Sequence, residues 1–320
     1  MLYGKIEAIF NKTVYSRAER MPYVFLFSKD DFECLCAREF PIKSARGHTL
    51  FGRFYYYGTP KANRLIVFDH GMFGGHLSYM REIEMLCQGG YLVFAYDHTG
   101  CMESGGGDTG GFSGSLCDLD EVISVLKRIP ELKDYEISVV GHSWGAFSTL
   151  CITKFHPEIK KIVPISGFIS PKDIIYQHLS GIASIFRRRI YENELAKNPK
   201  YMSCNAIEIL RNSDTCALII HSPNDHMVKY KKHFVKLKNA LGDKENISFL
   251  TVPDADHNPT YTKEAVKAKR DFQAKLKCAQ KKNKLSTTEE CEAFVNSLDW
   301  YKITEQNEDV WKRIYEFLEN

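Results

Sequence analysis

The sequence predicts an α/β protein: a mostly parallel central sheet, helices on its faces, and a helical segment inserted late in the chain. Three observations carry this reading. Six short apolar runs are rich in β-branched residues and continuous rather than alternating, as strands buried on both faces are. Helix-like stretches separate them, so strand and helix alternate and the crossovers are right-handed. The 320 residues are 44% hydrophobic and 26% charged, a globular composition that excludes a largely disordered chain. The whole chain, 1–320, reads as one domain.

The elements follow in order. Ala37 to Tyr57 holds Ala45-Arg46-Gly47-His48 between two extended runs, which predicts a hairpin at the sheet edge. The buried strands are Leu65–Phe68, Leu92–Tyr96, Ile137–Val140, Lys161–Ile165, Ala217–Ile220 and Ile247–Val252. Leu116 to Ile129 places Leu116, Leu119, Val122, Ile123, Leu126 and Ile129 at helical spacing. Phe168 to Asp214 is too long for a simple crossover and reads as an inserted helical lid. Tyr261 to Thr304 is Lys-rich and helical, an extra region before the closing helix. Asp309 to Leu318 then aligns Val310, Ile314, Phe317 and Leu318 on one face.

Composition bounds the partners. Lys plus Arg is 43 and Asp plus Glu is 40, a net charge of +3, so nothing argues for a nucleic-acid partner. The N-terminus MLYGKIEAIFNKTVY lacks the pattern of a signal peptide, and no run reaches the ~18 apolar residues of a membrane span. A cytoplasmic protein without stable membrane insertion is expected. The ten cysteines are scattered and do not form a disulfide framework. With no CxxC and no HExxH, neither a metal site nor a cofactor is expected.

The chemistry lies in Gly141-His142-Ser143-Trp144-Gly145. This G-x-S-x-G directly follows the strand Ile137–Val140 and precedes the helix-like run Ala146–Phe155. In that context the turn holds a serine hydroxyl above the sheet, with glycines where strand and helix come too close for a Cβ. A serine needs a base, and the base an orienting acid. Asp225 follows the strand Ala217–Ile220, and His257 follows Ile247–Val252. Ser143, Asp225 and His257 thus all fall at carboxyl ends of strands, where open α/β sheets carry their sites.

With His70-Gly71-Met72 after an early strand and Tyr96-Asp97-His98-Thr99-Gly100-Cys101-Met102-Glu103-Ser104 after the next, the chain resembles the α/β-hydrolase superfamily. The resemblance is closest to its serine aminopeptidase and monoacylglycerol-lipase-like branch. It spans roughly Phe40 to His257 plus a C-terminal helix. The family's Y-D-x-R-G-x-G-x-S stretch departs here at Thr99 and Met102. The resemblance implies an α/β-hydrolase fold and a Ser-His-Asp triad that hydrolyses esters of small molecules. Its oxyanion hole would use the backbone N–H groups of Trp144 and Met72, with Phe73 a rival for the second. It favours Asp225 as the acid, because D-x-x-V after this strand fits the family; Asp173 and Asp97 are rivals. Short-to-medium acyl esters are the expected substrates. Peptidase or amidase action and a non-catalytic binding role on the same fold are the alternatives.

Simpler readings compete elsewhere. Ser104 to Gly111 is glycine-rich but lacks the lysine of a phosphate loop, and reads as a flexible loop beside the site. Arg187-Arg188-Arg189 and Lys263 to Lys284 read as solvated faces. Asp254 and Asp256 are loop carboxylates or raise the basicity of His257. Within the insertion Ile175, Leu179, Ile182 and Phe186 recur at helical spacing. They either wall an acyl pocket or pack the insertion onto the core.

Overall fold

A computed structural model describes residues 2–61 and 63–320. Its strands are β1 (Leu35–Glu39), β2 (Ile42–Lys43), β3 (Thr49–Leu50), β4 (Gly52–Tyr57), β5 (Arg64–Asp69), β6 (Leu92–Tyr96), β7 (Glu136–His142), β8 (Lys161–Ile165), β9 (Cys216–His221) and β10 (Ile247–Thr251). Eight of them form one sheet in the order β1-β4-β6-β5-β7-β8-β9-β10. The six apolar runs of the sequence are β5 to β10, all parallel. The edge is antiparallel: β1 pairs with β4, and β4 with β6. The expected hairpin is therefore nested. Between β1 and β4 lies the small β2–β3 pair, closed by a turn in which Ser44 N donates to His48 O at 2.8 Å.

Both faces of the sheet are covered, which is why its central strands read as unbroken apolar runs. Alternate side chains of β5 divide between two cores, Leu65 and Val67 on one side, Ile66 and Phe68 on the other. The first core is filled by α3 (Gly114–Leu126) and α4 (Trp144–Cys151), numbered after α1 (Leu2–Val14) and α2 (Met80–Gln88). The second core receives Ile83 and Leu86 from α2.

Between β8 and β9 run α5 (Pro171–His178), α6 (Arg187–Lys197), α7 (Pro199–Met202) and α8 (Ala206–Arg211), so the long connection is helical. Helix α9 (Phe234–Leu241) bridges β9 to β10. After β10 come α10 (Lys263–Lys281), α11 (Thr288–Asn296), α12 (Trp300–Ile303) and α13 (Glu308–Glu319). The last returns Val310, Trp311, Ile314 and Leu318 to the second core at helical spacing. Among the described residues no helix is long and apolar enough to cross a membrane.

One expectation is corrected here. The glycine-rich stretch Ser104–Gly111 reads as flexible in sequence, yet it is pinned. Arg17 donates to the carbonyls of Met102, Ser104 and Gly106 at 2.6 to 3.0 Å, and Thr109 Oγ1 donates to Val14 O at 2.6 Å. A guanidinium has five donors in a rigid fork, and loop carbonyls have few other partners. These bonds fasten the loop to the end of α1, so the N-terminal helix is docked against the site side of the sheet.

Candidate active site

Strand β7 ends in a sharp turn into α4. Ser143 sits there with φ +58° and ψ −109°, a conformation a β-branched residue would resist. The two flanking glycines are required by contact. A Cβ on Gly145 would lie 2.1 Å from Asp69 O, and one on Gly141 2.5 Å from Gly145 O. The turn places the serine at the N-terminus of α4, where the helix dipole favours negative charge.

The loops after β9 and β10 bring the partners. Ser143 Oγ is 2.8 Å from His257 Nε2, and His257 Nδ1 is 2.8 Å from Asp225 Oδ2. Asp225 Oδ1 accepts the N–H groups of Met227 at 2.8 Å and Val228 at 2.9 Å. A second histidine, His221, holds Nε2 3.1 Å from Asp225 Oδ2. Burial alone would raise the pKa of Asp225; its contacts to His221 and His257 outweigh that and hold it well below the usual carboxylate range. The carboxylate therefore stays charged and fixes the imidazole with its proton on Nδ1 and its lone pair on Nε2, facing the serine.

His142 steadies the His257 loop from behind. Its Nε2 is 2.7 Å from the carbonyl of His257 and its Nδ1 2.9 Å from the Tyr79 hydroxyl. Burial, with His257 adding, lowers its pKa to about 3, so it is neutral. A carbonyl only accepts, so Nε2 carries the proton and Tyr79 donates to Nδ1. The Gly71 N–H in turn donates to the Tyr79 oxygen at 3.2 Å. His70 completes the loop. Its Nε2 accepts from His98 N at 2.9 Å, so its Nδ1–H donates to Gly71 O at 2.7 Å. The peptide that carries the Met72 amide is thus held by its carbonyl end. Among the described residues the Met72 amide has no backbone or side-chain acceptor.

Residues 60–214 match the family described as serine aminopeptidase, S33. No curated protein matches the chain in sequence. Solved structures do match it in shape. The esterase Pf2001 of Pyrococcus furiosus superposes with a TM-score of 0.62 at 19% identity, over 95% of this chain and 98% of that one. Acetyl xylan esterase 1 from Thermoanaerobacterium sp. gives a TM-score of 0.53 at 15% identity, over 80% and 88%. The α/β hydrolase GrgF from Penicillium sp. gives 0.52 at 14%, over 69% and 91%. The chain has the α/β-hydrolase fold.

Within this fold Ser143 and His257 open into a cavity of about 880 Å³. Met72, Phe73 and Trp144 line it beside the serine. Much of its wall is apolar: Ile6, Phe10 and Val14 from α1, Phe168 and Ile174, and Leu179 at the end of α5. Three large side chains at its mouth are exposed to water: Ile9 at 66%, Phe73 at 45% and Met227 at 57%.

The expected lid residues separate. Leu179 lines the cavity. Ile175 does not: at 1% exposure it packs in the core beneath α5. Ile182 projects into water at 75% exposure, because the chain leaves α5 for a short 3₁₀ turn (181–186) and the helical register breaks. Phe186 packs edge-to-face on Tyr3 of α1, ring centroids 5.4 Å apart. The sequence reading missed the contribution of α1. The available signal was its helical spacing of Ile6, Phe10 and Val14, which faces nothing in its own neighbourhood.

The rivals for the acid are engaged elsewhere. Asp97 accepts from His76 N at 2.7 Å and from Glu103 N at 3.1 Å, tying loops together. Asp173 lies in the first turn of α5, its amide capped by Ser170 at 3.1 Å. Asp254 faces Lys263 at 3.4 Å, and Asp256 faces Arg270 at 3.8 Å, so both are loop carboxylates. Arg187 lies over the Tyr176 ring, Arg188 pairs with Glu192 and Arg189 lies over Tyr3.

Proposed function

We propose that the protein is a serine esterase that cleaves short-to-medium acyl esters of small molecules through an acyl-enzyme. The observation that carries this is the continuous relay Ser143–His257–Asp225, two contacts of 2.8 Å, at the floor of an apolar cavity. Ser143 Oγ attacks the ester carbonyl as His257 Nε2 takes its proton. The tetrahedral oxyanion forms against the amides of Met72 and Trp144, each worth about 3 kcal/mol to the transition state. His257 then returns the proton to the leaving alkoxide. Water enters, gives its proton to His257, attacks the acyl carbonyl and releases the acid and Ser143. Asp225 stays ionised and stabilises the imidazolium at both stages. No step needs a metal ion or cofactor.

Cleavage of aminoacyl amides is the second reading, and the serine aminopeptidase match favours it. A free α-amino group would need a counter-charge. Among the described residues the cavity wall carries no aspartate or glutamate, which supports the ester reading. The test is a 4-nitrophenyl ester series of increasing chain length beside aminoacyl-4-nitroanilides, with labelling by a fluorophosphonate. Labelling of Ser143 with turnover of esters but not anilides is expected. An unlabelled serine would place the protein among non-catalytic binding members of the fold.

A further inference from the structure

The Lys-rich helix α10 has one lysine that is partly buried while the other lysines of the helix are exposed. Lys269 lines the same cavity as Ser143 and His257, and among the described residues it is the only lysine, arginine, aspartate or glutamate on that wall. Its Nζ donates to Asn258 Oδ1 at 2.5 Å and sits 5.1 Å from the Tyr261 ring centroid. An ammonium has three N–H donors, and one amide oxygen satisfies one. No carboxylate lies within ion-pair distance of it among the described residues. Two acids stand farther off. Asp256 is turned to Arg270. Glu82 is 3% exposed, and its Oε2 has no hydrogen-bond partner. Burial pushes the pKa of Glu82 up to about 7, so it offers only a partial counter-charge at neutral pH. Burial lowers the pKa of Lys269, with Asp256 and Glu82 opposing. A partly buried ammonium with spare donors and no carboxylate within ion-pair distance favours an anion that fills the gap.

The position also gives a direction. Asn258 follows His257 in the chain, and His257 protonates the departing alkoxide. A group held by Asn258 therefore lies on the leaving-group side, while α1 and Leu179 offer apolar wall for the acyl chain. We propose that Lys269 is a specificity residue that binds a carboxylate on the leaving group, so that the preferred substrates are acyl esters of hydroxy acids. This deepens, and rests on, the reading of the site as an esterase. It gives the region between β10 and α13 a function: its first helix delivers the only lysine or arginine on the cavity wall among the described residues.

The test compares 3-carboxyphenyl butyrate with phenyl butyrate. The wild type should prefer the carboxylate ester at least tenfold in kcat/KM. In Lys269→Met that preference should fall at least tenfold, and in Lys269→Arg most of it should return. Equal losses on both esters would overturn the proposal, since they would mean that Lys269 only positions Asn258 and His257. A second measurement needs no turnover. Calorimetry on Ser143→Ala should show 3-hydroxybenzoate binding, and the double variant Ser143→Ala/Lys269→Met should lose it. If that binding difference is found but neither ester turns over, the esterase reading falls and the anion site stands. If esters turn over with no Lys269-dependent preference and no binding difference, the anion site falls and the esterase reading stands.

Discussion

His142 Nε2 donates to the main-chain carbonyl of His257 at 2.7 Å, so the residue before Ser143 holds the backbone of His257. The loops that carry Ser143 and His257 are thereby fastened to each other and not only to the sheet. His142→Leu removes the donor but keeps an apolar body of similar reach. We expect kcat for 4-nitrophenyl butyrate to fall by up to roughly 10²-fold with KM little changed, because an ångström of misplacement costs about that much. Unchanged kcat would mean that the β10 loop holds His257 unaided.

Ser143→Ala deletes one oxygen from a half-buried turn and leaves the packing of α4 untouched. Ester hydrolysis and fluorophosphonate labelling should both vanish, while thermal melting stays close to wild type. Residual activity within threefold of wild type would remove the serine from the mechanism.

The acid separates from its rivals by substitution. Asp225→Asn should lower kcat by about 10⁴-fold, since the amide stabilises the wrong tautomer and no imidazolium. Asp173→Asn, at the start of α5, should leave kcat near wild type. The reverse pattern would reassign the acid.

The cavity wall should set chain-length preference. Leu179→Ala and Ile6→Ala each remove apolar wall, and a buried methylene is worth about 0.8 kcal/mol. Both should raise KM for hexanoate more than for acetate. Ile175→Ala should instead cost about 2–5 kcal/mol of stability with selectivity unchanged, because that side chain is in the core. A flat chain-length profile in all these proteins would exclude the wall as the specificity element.

The buried His98 predicts a pH dependence of folding. Burial would lower its pKa, but Asp69 and Asp118 outweigh burial and raise it to about 9. Its Nδ1 is 3.2 Å from Asp118 Oδ2. Its Nε2 lies 2.9 Å from Asp69 Oδ1, at an angle that makes this a charge contact rather than an aligned hydrogen bond. A pKa raised above the unfolded value of 6.5 means that the stabilisation is complete below pH 6.5 and is lost as pH rises through 9. The loss is on the order of 3 kcal/mol. Urea unfolding should therefore give a lower free energy at pH 9.5 than at pH 6.5, and His98→Gln should flatten that slope. A wild-type stability independent of pH over this range would show that His98 is neutral.

The sequence by itself determined the six parallel strands, because strands buried on both faces must be continuously apolar and that demand is local. It determined the elbow for the same reason, since a strained strand-to-helix turn needs its glycines at fixed spacing around Ser143. The order of Ser143, Asp225 and His257 after successive strands was also legible, although which acid reaches the imidazole was decided by loop geometry. Tertiary structure alone decided the cavity. Ile175 and Leu179 are four residues apart on a helical repeat, yet one is core and the other lines the pocket, because α5 ends between them. Helix α1 gives Ile6, Phe10 and Val14 to a wall whose opposite side comes from residues more than 150 positions later. Lys269 lies among lysines that read as one solvated face. Only the packing of α10 beside Tyr261 and Asn258 partly buries it and brings it to the cavity that Ser143 lines. Periodicity reports which side of an element is buried, and the identity of what buries it is a long-range fact.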